Sequence, residues 1–316
     1  MKSTRRGVLR TAGVSIIAMT ALAAGAASAA AQTIALVQIN QQALFFNQMN
    51  EGAQAAADKA GAELVIFNAN NDPAAQNNAI ETYTAQGVDA IIVVAIDVNG
   101  VMPAVQQAAD AGIPVLAVDA ILPEGPQKTQ IGVDNEGAGQ LIGETFLDYV
   151  DQNMDGGARI GVVGALNSFI QNLRQKGFEE VIAADQDVEV VGVVDGRNIQ
   201  DNALAVAENL MTGNPTMNAI YATGEPALVG AVAAVEAQDA ADRVKVFGWD
   251  LTAQIIQAID DGFVVAVVQQ DPHAMGQAAV DAAMTLIGGG DVPEKIAVPV
   301  TIVTKDNVDK FRSMFQ

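Results

Sequence analysis

TIALVQINQQALFFNQMNEG, residues 33–52, decides how the rest of the chain is read. Its opening run, residues 33–39, carries four consecutive apolar residues, Ile34 to Val37, and lacks the every-other-residue alternation of a half-exposed strand. It predicts a strand buried on both faces. A loop rich in Asn and Gln follows, and a helix is expected to begin near the adjacent Phe45 and Phe46. Ligands of open α/β sheets bind beyond the carboxyl ends of the strands. Two aromatic side chains at that edge, on an amide-rich loop, are placed to touch a small polar ligand.

The same pattern recurs down the chain. Apolar runs begin at Glu63 (ELVIFNA), Ala90 (AIIVVAI), Ile113 (IPVLAVD), Arg159 (RIGVVGA), Val188 (VEVVGVVD), Met217 (MNAIYAT), Arg243 (RVKVFGWD) and Phe263 (FVVAVVQQ). Between them lie Ala-rich helical stretches, with Gly61, Gly87 and Gly112 where helix C-terminal caps belong. Strict strand–helix alternation predicts an α/β fold of parallel sheets covered by helices on both faces. So many strands in this length fit two sheets better than one. No low-complexity linker separates two halves. The expected break is residues 131–135, Ile-Gly-Val-Asp-Asn, after a long loop over residues 119–130.

The first 31 residues read as an export signal. Lys2, Arg5, Arg6 and Arg10 form a basic start, an apolar run follows from about Val14 to Ala24, and Ala29-Ala30-Ala31 offers a small-residue cleavage site before Gln32. Ala27-Ser28-Ala29 is an alternative, and the apolar run is too short for a comfortable membrane span. Residues 4–10, TRRGVLR, resemble the twin-arginine export motif, with Val8 where Phe is usual. Removing the segment leaves 12 basic against 37 acidic residues, a formal charge of −25. That surface repels phosphate backbones and anionic headgroups, so no nucleic acid partner is expected. The absence of cysteine excludes disulfides and thiolate chemistry. His273 is the single histidine, which rules out a multi-histidine metal site. Neither a metal nor a catalytic residue is expected.

A polar residue follows nearly every strand: Asn68 and Asn70, Asp97, Asp119, Asp195, Glu225, Asp250 and Gln270. Capping of the next helix explains most of them taken singly. As a set they line one edge of each sheet, where a cleft would open.

These residues carry a family likeness. The chain resembles periplasmic sugar-binding proteins of ABC importers, of the ribose/xylose/galactose-binding type, from residue 33 to about residue 304. The segments that carry it, in shared order and spacing, are IALV…FF…EGAQAAADKAGAELVIFNANNDPAAQ, QGVDAIIVVAID, AGIPVLAVDA, IGVDNEGAGQLIGE, LRQKGFEE, ALVGAVAAVEA, VKVFGWD and VVQQDPHAMGQAAV. The resemblance implies two doubly wound lobes joined by a three-stranded hinge. Residues 32–133 plus 271–300 would form the N-terminal lobe, and residues 134–270 plus 301–316 the C-terminal lobe. It implies a monomeric protein that closes on a sugar or polyol, docks on an inner-membrane ABC permease, needs no cofactor and catalyses nothing. A periplasmic sensor that feeds a chemoreceptor is the alternative.

The resemblance also implies site residues. Phe45 and Phe46 match paired aromatics that stack on the sugar, and Asp119 matches the acid after the fourth strand. Arg174 in LRQKGF, Asp250 in GWD and Gln270 in QQDP match polar contacts. Asn198 stands near a capping aromatic of the relatives, and Gln42 beside Ala43 stands where they carry Asn. The chemistry suits polyols independently: carboxylates accept from adjacent hydroxyls, and a guanidinium donates in a rigid fork. For Phe46 the ligand wall is favoured over core packing, and for Phe45 the reverse; Trp249 is expected to point into core. Departures include Val94, Ala120 and Gly224-Glu225, so ribose bound in the usual way is not expected.

Residues 137–143, Gly-Ala-Gly-Gln-Leu-Ile-Gly, look like a dinucleotide-binding turn, which makes a nicotinamide-dependent oxidoreductase a rival. The spacing is one residue too long and the next strand ends without an acid. Close packing of a helix on the sheet is the better account of these glycines.

Overall fold

The strand expected at residue 33 runs over Thr33–Gln38 (β1), and all but its first residue are buried. The computed structural model describes residues 1–2, 31–41, 44–155 and 157–315. Most of the export-signal reading, and Gln42 with Ala43, lie outside the described residues. Gln32–Gln316 make one compact unit.

From β1 the chain passes through α1 (Leu44–Ala60), β2 (Glu63–Asn68), α2 (Pro73–Gln86), β3 (Ala90–Val93), α3 (Met102–Asp110), β4 (Val115–Val118) and β5 (Thr129–Gly132). It continues through α4 (Asn135–Asn153), β6 (Ala158–Gly164), α5 (Phe169–Ile182), β7 (Val188–Asp195), α6 (Gln200–Gly213), β8 (Ala219–Ala222), α7 (Glu225–Ala237), β9 (Lys245–Trp249), α8 (Ala253–Asp260) and β10 (Val264–Gln269). It ends with α9 (Pro272–Ile287), β11 (Lys295–Ala297) and β12 (Thr301–Val303).

These strands form two sheets of six, ordered β11-β5-β4-β3-β1-β2 and β12-β10-β9-β8-β6-β7. The fold is therefore α/β, with two doubly wound lobes of matching strand order. The chain passes between them three times: after β5, after β10, and between β11 and β12. The first sheet is parallel throughout, whereas β12 runs antiparallel to β10. The last crossing explains the difference. β11 delivers the chain to the carboxyl edge of its sheet, and only residues 298–300 separate it from β12. A chain entering the second sheet from that same edge must run against its neighbours.

Burial follows the strand period. Ile34 and Leu36 face one side of the first sheet, where α1 and α9 pack. Ala35 and Val37 face the other, where α2 and α3 pack. In the second sheet Ile160 and Val162 meet α4 and α5, while Val163 meets the layer of α6, α7 and α8. Truncating a fully buried leucine such as Leu36 would cost about 2–5 kcal/mol.

The strand-end polar residues are not helix caps. The capping carboxylates and hydroxyls stand elsewhere: Asp72 accepts from the Ala74 and Ala75 N–H groups, Asp134 caps α4, Ser168 α5, Thr252 α8 and Asp271 α9. Asp97 and Asp195 instead tie down loops, accepting from Asn99 and Gly100 N–H and from Leu166 and Arg197 N–H. Of the glycines in residues 137–143, Gly139 and Gly143 pack against α5 rather than the sheet, and Gly137 lies against the Asp134 carboxylate. A Cβ on Gly139 would overlap the Arg174 carbonyl oxygen, and one on Gly177 the Glu136 carbonyl oxygen, so α4 and α5 lie backbone to backbone. β5 (TQIG), β11 (KIA) and β12 (TIV) are short and interrupted by polar residues or glycine, so they do not stand out as apolar runs.

Candidate functional site

Asp119 follows β4 and Asp250 follows β9, and both adopt left-handed backbone conformations, φ 63° and 64°. Asp tolerates that region better than bulkier or branched residues do. Each is locked there by its own N–H: Asp119 N–H donates to Ile131 O and Asp250 N–H to Val268 O, both at 2.9 Å. The two half-buried residues line one cavity of about 220 Å³.

Arg174 enters the same cavity from α5. It is only 6% exposed, which for a guanidinium demands compensation. Its Nε–H donates to Asn135 Oδ1 at 2.9 Å, and one terminal N–H donates to Thr223 O at 3.2 Å. Asn135 is itself held by Nδ2–H donation to Val133 O. Beneath the guanidinium lies the Trp249 ring, 3.8 Å from Cζ to centroid, a cation–π contact. Trp249 is fully buried, as its place in the strand predicts, and its indole N–H donates to Tyr221 OH at 2.8 Å. Tyr221 in turn stacks on Phe178 at 4.0 Å. The guanidinium plane is thus fixed from three sides, which leaves its remaining donors for the cavity.

Gln270 follows β10 and donates from Nε2 to both Asp250 oxygens, at 3.1 and 3.0 Å. Asn198 is reached by a relay: Thr223 Oγ1–H donates to Gln171 Oε1, and Gln171 Nε2–H donates to Asn198 Oδ1, each at 2.7 Å. Among the described residues no hydrogen bond reaches the carboxylates of Asp119 or Glu225. Neither Asp119 nor Asp250 lies within ion-pair distance, 4.0 Å, of Arg174.

The electrostatics follow from that spacing. Burial pushes the Asp119 carboxyl up to about 6, against the pull of Arg174 and with a push from Asp250. Burial also raises Asp250, opposed by Arg174 and by the Gln270 hydrogen bonds. Glu225 is raised by burial and then by Asp250. Arg174 is lowered by burial but remains charged, since arginine does not deprotonate in proteins.

The cavity brings together Phe45, Asp119, Arg174, Asn198, Asp250 and Gln270. Phe46 is not among its lining residues. It packs against the α1–α9 core, with its ring edge-on to Phe45 at 5.4 Å, so Phe45 is the aromatic of the pair that meets the cavity. Gln42 lies outside the described residues. Sequence reasoning missed Ser168, Ile170, Gln171 and Pro226, which also line it. Ser168 and Gln171 have capping-box spacing, and Ser168 Oγ accepts from Gln171 N–H at 3.4 Å. That signal would have located the start of α5.

Larger cavities lie elsewhere. One of about 420 Å³, at the amino end of the second sheet, is lined by Arg159, Arg243 and Lys245. Those cations are engaged by Glu189, by Met217 O, and by Ala241 O and Gly262 O. The small cavity is at the carboxyl ends of both sheets, and it joins carboxylates of both lobes to a buried guanidinium.

Residues 34–291 match the family described as periplasmic binding protein domain. The ribose import binding protein RbsB of Escherichia coli (strain K12) is 30% identical over 92% of this chain and 97% of that protein. The crystal structure of a periplasmic ribose ABC transporter from Conexibacter woesei superposes with a TM-score of 0.83, at 26% identity, over 92% of this chain and 97% of that one. A solute-binding protein of Actinobacillus succinogenes with bound D-allose superposes with a TM-score of 0.79, at 25% identity, over 88% of this chain and 99% of that one.

Proposed function

The chain belongs to the periplasmic binding protein domain family, and from that premise we propose that it is an extracytoplasmic solute-binding protein that captures a small sugar or polyol between its lobes for an ABC importer. Proteins of this family bind substrates and are not enzymes. The observation that carries the reading is the cavity where Asp119 of one lobe faces Arg174 and Asp250 of the other. Each carboxylate can accept from two neighbouring hydroxyls, and the guanidinium can donate a fork of hydrogen bonds. Phe45 offers an apolar face to the C–H side of a sugar ring.

The hinge follows the three crossings. Residues 32–133 plus 271–300 serve as one lobe and residues 134–270 plus 301–316 as the other, and ligand draws them together. The protein acts as a monomer whose closed form docks on an inner-membrane permease; a chemoreceptor can read the same form. The first 31 residues direct export by the twin-arginine route and are removed near Ala31.

The test is a thermal-shift panel of pentoses, hexoses and polyols, because a ligand that binds only the folded state raises the melting temperature. At least one member is expected to bind with 1:1 stoichiometry. In Asp250→Ala the affinity for that ligand should fall by at least 30-fold, about 2 kcal/mol, with the fold retained. An affinity within twofold of wild type would remove Asp250 from the site.

A further inference from the structure

The charges that meet in the interlobe cavity do not balance. Asp119, Glu225 and Asp250 face one cation, Arg174. Glu225 is the first residue of α7, where the helix dipole partly offsets a carboxylate. Asp119 and Asp250 against Arg174 still leave one negative charge uncompensated. The hydrogen-bonding groups are just as lopsided. Among the described residues Asp119 and Glu225 accept from no protein donor, two of the Arg174 donors are taken by Asn135 and Thr223, and the Gln270 amide N–H groups are committed to Asp250.

A neutral polyol supplies donors but no charge. Lobes that close over such a ligand would bury an unpaired carboxylate, which is far costlier than burying a neutral group. An ammonium brings three donors, no acceptor and one positive charge. A bare divalent cation does not fit: among the described residues no three carboxylates or imidazoles are gathered closely enough to hold a metal ion.

Resting on the sugar-binding reading above, we propose that the ligand of this cleft is a hydroxylated monocation, an amino-sugar or amino-polyol, whose ammonium lies between Asp119 and Glu225 while its hydroxyls meet Arg174, Asp250 and Gln270. Asp119 faces the ammonium from the end of β4 and Glu225 from the start of α7, while Asp250 at the end of β9 and Arg174 on α5 face the hydroxyls. Phe45 covers the ring.

The test pairs each neutral probe with its amine: D-glucose with D-glucosamine, D-galactose with D-galactosamine, D-mannose with D-mannosamine, and D-ribitol with 1-amino-1-deoxy-D-ribitol. Binding is measured by calorimetry at pH 7.5 in low salt. In at least one pair the amine should bind tenfold or more tightly than its hydroxyl parent. In the Asp119→Asn, Glu225→Gln double variant that preference should fall to twofold or less, while circular dichroism reports an intact fold. Tighter binding of the neutral parents would overturn the amine assignment and leave the sugar-binding reading standing. Binding by no member of the panel would overturn both. An amine preference that survives in the double variant would overturn the placement of the ammonium.

Discussion

The two lobes share one chain path and differ in the chemistry they bring to the cleft. Matching strand order makes β1 the counterpart of β6, β4 of β9 and α1 of α5. Asp119 and Asp250 then occupy equivalent positions, with the same left-handed backbone and the same N–H bond to the neighbouring strand. The helix contacts repeat as well. A Cβ on Gly276 of α9 would overlap the Met49 carbonyl oxygen, as one on Gly139 of α4 would overlap that of Arg174. Met49 is therefore the counterpart of Arg174, Phe46 of Gln171 and Phe45 of Ile170. Val94 and Thr223 correspond too, through N–H bonds to Val37 O and Val163 O. In the first lobe these positions are apolar; in the second they carry the guanidinium and the Thr223–Gln171–Asn198 relay. The backbone that makes a site is duplicated, and each lobe keeps its strand-end aspartate, but the guanidinium and its polar relay are installed on one side and apolar side chains on the other.

Exchanging the counterparts should break that division, beginning with the largest effect. Met49→Arg places a cation in the α1–α9 core, where Met49 is fully buried and its sulfur accepts from Gln38 Nε2–H, a donor that cannot pair with a guanidinium. A loss of about 4 kcal/mol or more in denaturant unfolding is expected. Arg174→Met makes the second lobe resemble the first. It should weaken ligand binding at least 100-fold in calorimetry, about 3 kcal/mol, because Asp119 and Asp250 lose their counter-charge.

Asp119→Asn sharpens the comparison with pH. The folded carboxyl titrates at about 6, above the ordinary value of about 3.9. Between those values the folded protein holds a proton that the unfolded chain has released, so this group's contribution to stability falls as pH rises through the window. Removing the charge should therefore stabilise the protein without ligand at pH 7, on the order of 1–2 kcal/mol, and flatten that slope. With ligand the sign reverses for wild type: affinity should drop as pH falls below about 6 and the acceptor is protonated.

Much of this was legible in the residues. Continuous apolar runs identified nine strands, and their alternation with Ala-rich helices implied the parallel sheets. β5, β11 and β12 escaped because TQIG, KIA and TIV are short and carry at most two large apolar residues each, whereas the equally short β3 and β4 are apolar at every position. The strand-end acids were visible as a set, yet capping explained them wrongly: a left-handed aspartate and a capping aspartate have the same letter, and only φ separates them. The ranking of the two phenylalanines failed for a similar reason. Which of two adjacent helical residues faces the cavity depends on the helix's rotation against α9, set by backbone contact at Gly52 and Gly276. Arg174 could be found by its motif, but its fixing by Asn135, Thr223 and Trp249 joins residues from three distant stretches.

The central claim is that one ligand is held by both lobes at once. The chain has no cysteine, so single cysteines at Glu81 in α2 and Asp201 in α6, both exposed, would take spin labels without background. The distance between the labels should change to one shorter value when the ligand identified by the thermal-shift panel saturates the protein, and should stay at its ligand-free value in Arg174→Met at the same ligand concentration. An unchanged distance in the saturated wild type would contradict a site shared between the lobes.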